Sequence, residues 1–221
     1  MIQTGSIIAL AWPETKVIHE GKWYDTPMRW LGFLKDDYYT AGHAAMVFVN
    51  HQTNEFKYYD FGRYHTPPKR GRVRSYDTDP ELKLETKPDI KNGKITNIQD
   101  LLFELLCKKS CHGDGKLLAS VYNNINFKKA ISKAEYMQNK GSICYGPFAI
   151  NGTNCSRFVS QVTKCATKSW LKRIVLAFPY TISASPKFNI RVINSEPHYY
   201  IMEKEHQSTL TRQTFTTESV W

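Results

Sequence analysis

Cys155 has the sequence setting best suited to nucleophilic chemistry in this chain. It follows a loop that ends in Gly152, Thr153 and Asn154, and apolar residues come after it at helical spacing: Phe158, Val159, Val162 and Ala166. This pattern predicts a buried amphipathic helix that begins at Cys155 and is capped by Thr153 or Asn154. A thiol in the first turn lies near the positive end of the helix dipole, so its pKa falls, and neighbouring backbone N–H groups can bind an oxyanion.

A catalytic thiol needs a base, and His43 is the histidine best placed to supply one. It opens the strand-like segment 43–50, which polar turn residues separate from a second such segment, 55–61. The two segments predict a β-hairpin. Pairing the residues that flank the turn places Asp60 on the same face as His43 and diagonal to it. A register shifted by one residue would present Tyr59 instead, so Asp60 is our choice for the third polar group and Tyr59 is the alternative.

The other four cysteines lack this setting, and Cys144 lies in a loop without a base nearby in the sequence. Five cysteines without regular spacing favour a reducing compartment over a disulfide framework. Cys165 lies near the apolar stripe of the same helix, and Cys107 lies on another apolar helix. Cys107, Cys111 and His112 are residue types that bind zinc, but no second ligand pair follows at the distance usual in zinc fingers. We therefore expect no structural metal.

Two short stretches resemble a known superfamily. Tyr145-Gly146, a loop, and then Asn154-Cys155-Ser156-Arg157-Phe158-Val159 are similar to the Asn-Cys-x-x-Phe-Val element of lecithin:retinol acyltransferase-like proteins, and Gly42-His43 is similar to the start of their histidine strand. Those proteins belong to the circularly permuted branch of the papain-like fold, with relatives of the NlpC-type cell-wall endopeptidases. In that branch the histidine hairpin precedes the cysteine helix, as it does here.

This chain departs from the acyltransferases in two respects. Another residue replaces their second histidine, and the middle segment is longer than a minimal member needs. The stretch from Tyr59 to Tyr64 also resembles a bacterial family to which no reaction is assigned. The resemblance therefore supports a reaction class better than a particular substrate.

The resemblance implies an α+β domain with a permuted papain-like (NlpC-type) fold, in which the cysteine helix packs against an antiparallel sheet. It implies Cys155 as nucleophile, His43 as base and a polar residue on the next strand, for which Asp60 is our choice as the group that orients the imidazole. We expect Asn154 and Tyr145 to bind the substrate. The expected reaction is hydrolysis or transfer of an acyl group from an amide or ester, on a small-molecule, peptide or acyl substrate. No cofactor is implied.

A basic run lies within residues 66–94, a segment with four prolines and many charges that predicts an irregular excursion over the surface. Arg70, Arg72 and Arg74 in this run are expected at the rim of the cleft, where they would position an acidic group of the substrate. The same run supports an alternative of another class, a non-catalytic protein that binds an anionic polymer such as nucleic acid. No recognition helix or RNA-binding signature accompanies it, so nucleic acid is the less favoured partner.

The elements that position these residues are expected to form a single domain over residues 1–221, with a polar C-terminal tail from about residue 207 that lacks periodicity. The further predicted elements are a buried strand at 6–12, a short helix at 26–34, helices capped by Asn97 and Asn126, and strands at 187–193 and 198–203.

Composition narrows the class of protein without choosing a partner. The 221 residues include 30 basic and 20 acidic side chains, a net charge of +10, which favours acidic partners. The chain has no apolar run long enough to span a membrane and no basic residue before its first apolar run, so we expect a cytoplasmic protein. The pattern indicates no oligomeric state.

Overall fold

An eight-stranded antiparallel sheet forms the centre of the protein. The computed structural model describes residues 4–18, 34–35, 38–39, 42–149, 151–179, 183–207 and 210–219. Its strands are β1 (Thr4–Trp12), β2 (Val17–Ile18), β3 (Leu34–Lys35), β4 (Tyr38–Tyr39), β5 (His43–Asn50), β6 (Glu55–Gly62), β7 (Arg70–Ser75), β8 (Ile90–Lys91), β9 (Lys94–Ile95), β10 (Leu117–Asn126), β11 (Ile143–Cys144), β12 (His198–Gln207) and β13 (Leu210–Ser219).

The strand order of the large sheet is β11-β7-β6-β5-β1-β10-β12-β13, and β2-β4-β3 and β8-β9 form two small separate sheets. The central strands β1 and β5 are almost continuously apolar, because both faces of the sheet are covered. Their alternate side chains enter two cores, one on each face of the sheet.

Five helices of the described residues cover these faces. They are α1 (Ile98–Cys107), α2 (Phe127–Asn139), α3 (Cys155–Ala166), α4 (Trp170–Ala177) and α5 (Pro186–Val192). Apolar residues of α2 to α5 share one core, and those of α1 belong to the other. The expected antiparallel sheet with the cysteine helix packed against it is therefore present. No helix in the described ranges is long and apolar enough to cross a membrane.

The hairpin register follows the expectation from the sequence. Asn50 pairs with Glu55 and Ala45 pairs with Asp60. The side chain of Asn50 accepts hydrogen bonds from the backbone N–H groups of Gln52 and Thr53, which closes the turn by a local Asx contact. The short polar turn thus sets which residues of β6 share a face with His43.

Of the caps that the sequence predicts for α1 and α2, one forms and the other does not. Asn126 accepts a hydrogen bond from the N–H of Lys129 at the start of α2. Asn97 occupies the N-cap position of α1, but its side chain makes no capping bond and accepts from the N–H of Asp89 instead. The helix expected at 26–34 lies outside the described residues, apart from Leu34 at the start of β3.

Two predicted C-terminal elements are wrong. Residues 187–193 were expected to form a strand, but Pro186–Val192 is helix α5. The Ser185 side chain accepts from the N–H of Phe188 and Pro186 occupies the first turn, and both features favour a helix start. The polar tail expected from about 207 instead contains β13, which pairs along its length with β12, because backbone pairing needs no apolar periodicity and threonine favours strands.

The segment expected as an irregular excursion at 66–94 contains β7, which lies between β6 and β11 in the large sheet. Its arginines alternate with Gly71, Val73 and Ser75, all of which are buried. This period of two is the pattern of a strand. The sequence prediction missed the strand because the arginines were interpreted as surface charges. The basic run is therefore part of the sheet.

Val73→Ala distinguishes a packed strand from a surface excursion. Val73 is buried in the same core as Phe61, so removing its methyl groups should lower the free energy of unfolding by about 2 kcal/mol. The matched change Lys83→Ala, at an exposed position of the same segment, should alter it by less than about 0.5 kcal/mol. Urea titration followed by circular dichroism measures both, and equal small effects would contradict the strand.

Candidate active site

Helix α3 presents Cys155 in its first turn, as the sequence predicts. Between the two candidate caps it is Asn154 whose side chain accepts from a helix N–H, that of Arg157, at 2.8 Å. Because Cys155 and Ser156 are at the start of the helix, their backbone N–H groups have no carbonyl partner inside it. These groups lie beside the sulfur atom at the positive end of the helix dipole.

The Cys155 sulfur lies against the start of β5. Burial alone would raise the pKa of this thiol, but hydrogen bonding and charge interaction with His43, together with the backbone N–H of Ala44, hold it below its usual value. The Ser156 hydroxyl lies 3.9 Å from the sulfur. The surroundings therefore favour the thiolate.

His43 is the first residue of β5, so its ring lies at the end of the sheet, where the N-terminus of α3 approaches. The ring stacks on Trp12 with 5.8 Å between centroids. Burial would lower the pKa of His43, but interactions with Asp60 and the Cys155 thiol outweigh that effect and raise this pKa to about 9. A raised histidine pKa beside a lowered thiol pKa favours an imidazolium–thiolate pair.

Asp60 lies on the other side of the imidazole. Its Oδ2 atom is 3.6 Å from His43 Nε2, and its side chain is 0% exposed. It accepts hydrogen bonds from the hydroxyls of Tyr58 at 3.1 Å and Tyr64 at 3.0 Å. The alternative residue, Tyr59, lies on the other face of β6 from Asp60, where it packs edge-on against Phe48 in the core.

The polar contacts of His43 Nε2 indicate which ring nitrogen carries a proton. Tyr64 gives its hydroxyl proton to Asp60, and its oxygen lies 3.5 Å from Nε2. A carboxylate and a hydroxyl that has already donated can only accept. Nε2 therefore carries a proton whether the ring is neutral or charged, and Nδ1 is the nitrogen left to exchange a proton with the Cys155 thiol.

The arginine run is placed differently from the expectation. Arg74, expected at the cleft rim, is buried and donates through Nε (3.0 Å) and Nη2 (2.6 Å) to Asp60. Arg72 pairs with Asp79 and also donates to the Tyr64 carbonyl. Arg70 donates to the hydroxyl and carbonyl of Ser142. Because these strand residues have partners inside the protein, the geometry favours neither substrate capture nor polymer binding by them.

Asn154 and Tyr145, the other expected substrate-binding residues, also have structural contacts. The Asn154 side chain is the helix cap, and the Tyr145 ring stacks on Phe61 with 5.9 Å between centroids. Arg157 anchors the loop before the helix, since its Nη1 donates to the carbonyls of Gly146, Pro147 and Ala149. Both expected residues border the cysteine loop.

Sequence reasoning missed the roles of Tyr64 and Arg74. The Arg74 guanidinium lies 3.4 Å from the centre of the Tyr64 ring, and both side chains bond to Asp60. The alternation of arginines at positions 70, 72 and 74 was a signal that could have placed Arg74 beside Asp60. No local pattern marks Tyr64, which reaches back to Asp60 from beyond the end of β6.

None of the remaining thiols has the surroundings of a nucleophile. Cys111 is buried, and burial together with the Asp60 charge raises its pKa to about 12; Cys107 and Cys144 are exposed. The described part of the chain contains no group of three or more His, Cys, Asp or Glu residues arranged to hold a metal ion.

Fold and site together define a class: a mixed α/β protein whose large antiparallel sheet and five helices bring a buried cysteine, histidine and aspartate together at one end of the sheet. The family model described as type VI secretion system effector TseH-like matches residues 7–170, a stretch that contains all three residues. The chain belongs to this TseH-like family.

A solved structure is consistent with this assignment. The crystal structure of the type VI secretion system effector TseH superposes with a TM-score of 0.52, covering 96% of this chain and 98% of that chain at 18% identity. At this identity the likeness shows the fold alone. A search among curated proteins gave no match.

Arg74→Met tests whether the buried ion pair holds the site together. The variant leaves the Asp60 carboxylate buried without its arginine, which should lower the free energy of unfolding by about 3–5 kcal/mol. Urea denaturation provides the measurement. In the double variant Arg74→Met/Asp60→Leu most of this loss should be absent, since no unpaired charge remains. Equal losses in the single and double variants would show that Arg74 acts through packing alone.

Proposed function

We propose that this protein is a cysteine-dependent hydrolase or acyltransferase that acts on an amide or ester bond. The observation that carries the proposal is the interaction of Cys155 with His43 and of His43 with Asp60, at the N-terminus of α3. A thiol at a helix start, an imidazole and a buried carboxylate are the groups that nucleophilic acyl transfer uses.

In the proposed reaction the Cys155 sulfur attacks the carbonyl carbon, and the first-turn N–H of α3 stabilises the oxyanion. His43 holds the sulfur's proton at Nδ1 and gives it to the leaving nitrogen or oxygen, so the carbon–heteroatom bond breaks and an acyl-enzyme remains. Water, or another molecule that accepts the acyl group, then gives a proton to His43 and attacks the carbonyl carbon of the thioester. The carbon–sulfur bond breaks, and Cys155 is released. Asp60, Arg74 and Tyr64 keep the ring oriented with Nε2 protonated.

We further propose that the fold is the permuted papain-like type. Three features support this: the histidine hairpin precedes the cysteine helix in the chain, the sheet is antiparallel, and α3 packs against β5 and β6. These features match the arrangement that the short motifs around His43 and Cys155 imply.

The family description extends the proposal to where the chain acts. The family consists of type VI secretion system effectors, and we propose that this chain is an effector enzyme that leaves the producing bacterium and acts on a component of a target cell. The cytoplasm, which the sequence led us to expect, is then the place of synthesis only.

Thiol labelling tests the proposed ion pair. Because His43 holds the pKa of Cys155 below its usual value, iodoacetamide at pH 6 should label Cys155 faster than any other thiol of the folded protein. In His43→Ala the buried thiol loses this partner, its pKa rises, and labelling at pH 6 should slow at least about tenfold. Peptide mass spectrometry over a pH series measures the rates.

His198→Ala is the matched control, since this histidine is partly exposed on β12. Its pH profile of Cys155 labelling should equal that of the unmodified protein. If Cys107 or Cys144 labels first, or if His43→Ala leaves the profile unchanged, the two residues do not form the pair.

Acylation by p-nitrophenyl acetate tests the chemistry itself. We expect a burst of one equivalent of nitrophenolate and an acetyl group on Cys155, located by peptide mass spectrometry, followed by slower turnover. Cys155→Ser should lose the burst, and the matched variant Cys144→Ser, at an exposed thiol, should retain it. Stable acetylation of another residue, with Cys155 unmodified, would contradict the proposal.

A further inference from the structure

Helix α4 turns its large apolar side chains outward. Trp170 is 67% exposed and Phe178, directly after the helix, is 78% exposed, and Leu171, Ile174 and Val175 are also exposed. At 100° per residue these positions fall within one arc of the helix. They form a continuous apolar face, which we call the α4 face.

The opposite side of α4 is attached to the protein by its polar groups. Lys172 Nζ donates to the carbonyls of Val192 and Asn194 at 2.7 and 2.6 Å, and the Arg173 guanidinium donates to the Thr167 carbonyl. Leu176 is buried on this side. These bonds hold the helix in its orientation, and it cannot rotate to bury the α4 face without breaking them.

A positively charged cavity of about 620 Å³ lies beside α4, where it meets α2 and α3. Among the described residues no Asp or Glu lines it; the lining residues are Asn126, Lys128, Lys129, Ser132, Lys133, Cys165 and Arg173. Lys128 and Lys129 are exposed. Arg173 follows Trp170 by one helical turn, so the cavity with its four cations borders the edge of the α4 face at Trp170.

We propose that the α4 face and this cavity form a docking surface for a bilayer that contains anionic phospholipid. Helices that bind at a membrane interface insert Trp, Phe and Leu among the acyl chains, while nearby lysines contact the phosphates. Here the α4 face supplies the apolar side chains that insert, and the lysines that contact phosphates are Lys128, Lys129 and Lys133.

Two other occupants fit this surface less well. In a symmetric dimer the same patch meets itself, so the four cations that line the cavity would approach the same four cations of the second copy. A helical peptide would need an apolar groove, whereas the apolar side chains here project from a helix to exposed fractions as high as 78% and the neighbouring cavity is lined mainly by cations. The surface is independent of the Cys155 chemistry, so this inference does not rest on the proposed reaction.

Co-sedimentation with vesicles tests the proposal. We expect the protein to pellet with vesicles of equal parts phosphatidylglycerol and phosphatidylcholine, with a partition coefficient at least about tenfold higher than for phosphatidylcholine alone. The double variant Trp170→Ser/Phe178→Ser should lower binding to the mixed vesicles at least about tenfold. The triple variant Lys128→Gln/Lys129→Gln/Lys133→Gln should remove most of the preference for the anionic vesicles.

The matched control is Tyr76→Ser/Phe103→Ser, which removes two exposed aromatic side chains outside α4 and should bind as the unmodified protein does. Circular dichroism melting checks that each variant is folded. Unchanged binding of Trp170→Ser/Phe178→Ser, or equal binding to neutral and mixed vesicles, would overturn the proposal. The proposal would also be overturned if the unmodified protein does not bind vesicles and sedimentation velocity shows a dimer that Trp170→Ser/Phe178→Ser dissociates.

Discussion

The buried ion pair between Asp60 and Arg74 is the interaction on which the rest of the site depends. A carboxylate removed from water needs nearly all its lone pairs satisfied, and Asp60 receives two bonds from Arg74 and one each from Tyr58 and Tyr64. Since Asp60 pairs with Arg74 across β6 and β7, the bond also requires these strands to be neighbours. The same ion pair therefore depends on the charges of the site and on the order of these two strands in the sheet.

Asp60 and Cys155 belong to opposite sides of the sheet. Asp60 lies on the face that α1 covers, whereas Cys155 lies on α3 in the other core. Only at the end of the sheet can groups from the two sides meet, and His43 occupies that end as the first residue of β5. His43 interacts with both Asp60 and Cys155, so one imidazole links the carboxylate to the thiol.

Helices α3 and α4 are consecutive in the chain but differ in how they use polar and apolar groups. The α3 helix buries its apolar stripe and presents a polar first turn to the site, as amphipathic helices of globular proteins do. The α4 helix binds backbone carbonyls with its cations and leaves its apolar residues outside. The first helix is the one for which we propose chemistry, and the second is the one for which we propose contact with a bilayer.

Sequence alone determined the start of the cysteine helix and the hairpin, and it favoured the register that places His43 and Asp60 on one face; it left the cap between Thr153 and Asn154. These local features follow from interactions a few residues long, such as the Asn154 cap and the Asn50 turn. Only the tertiary structure decided that Arg74 is a buried partner of Asp60, that β13 extends the sheet, and that α4 faces outward. A charged or polar side chain shows its role only when its distant partner is known, because burial and pairing depend on which strands and helices become neighbours.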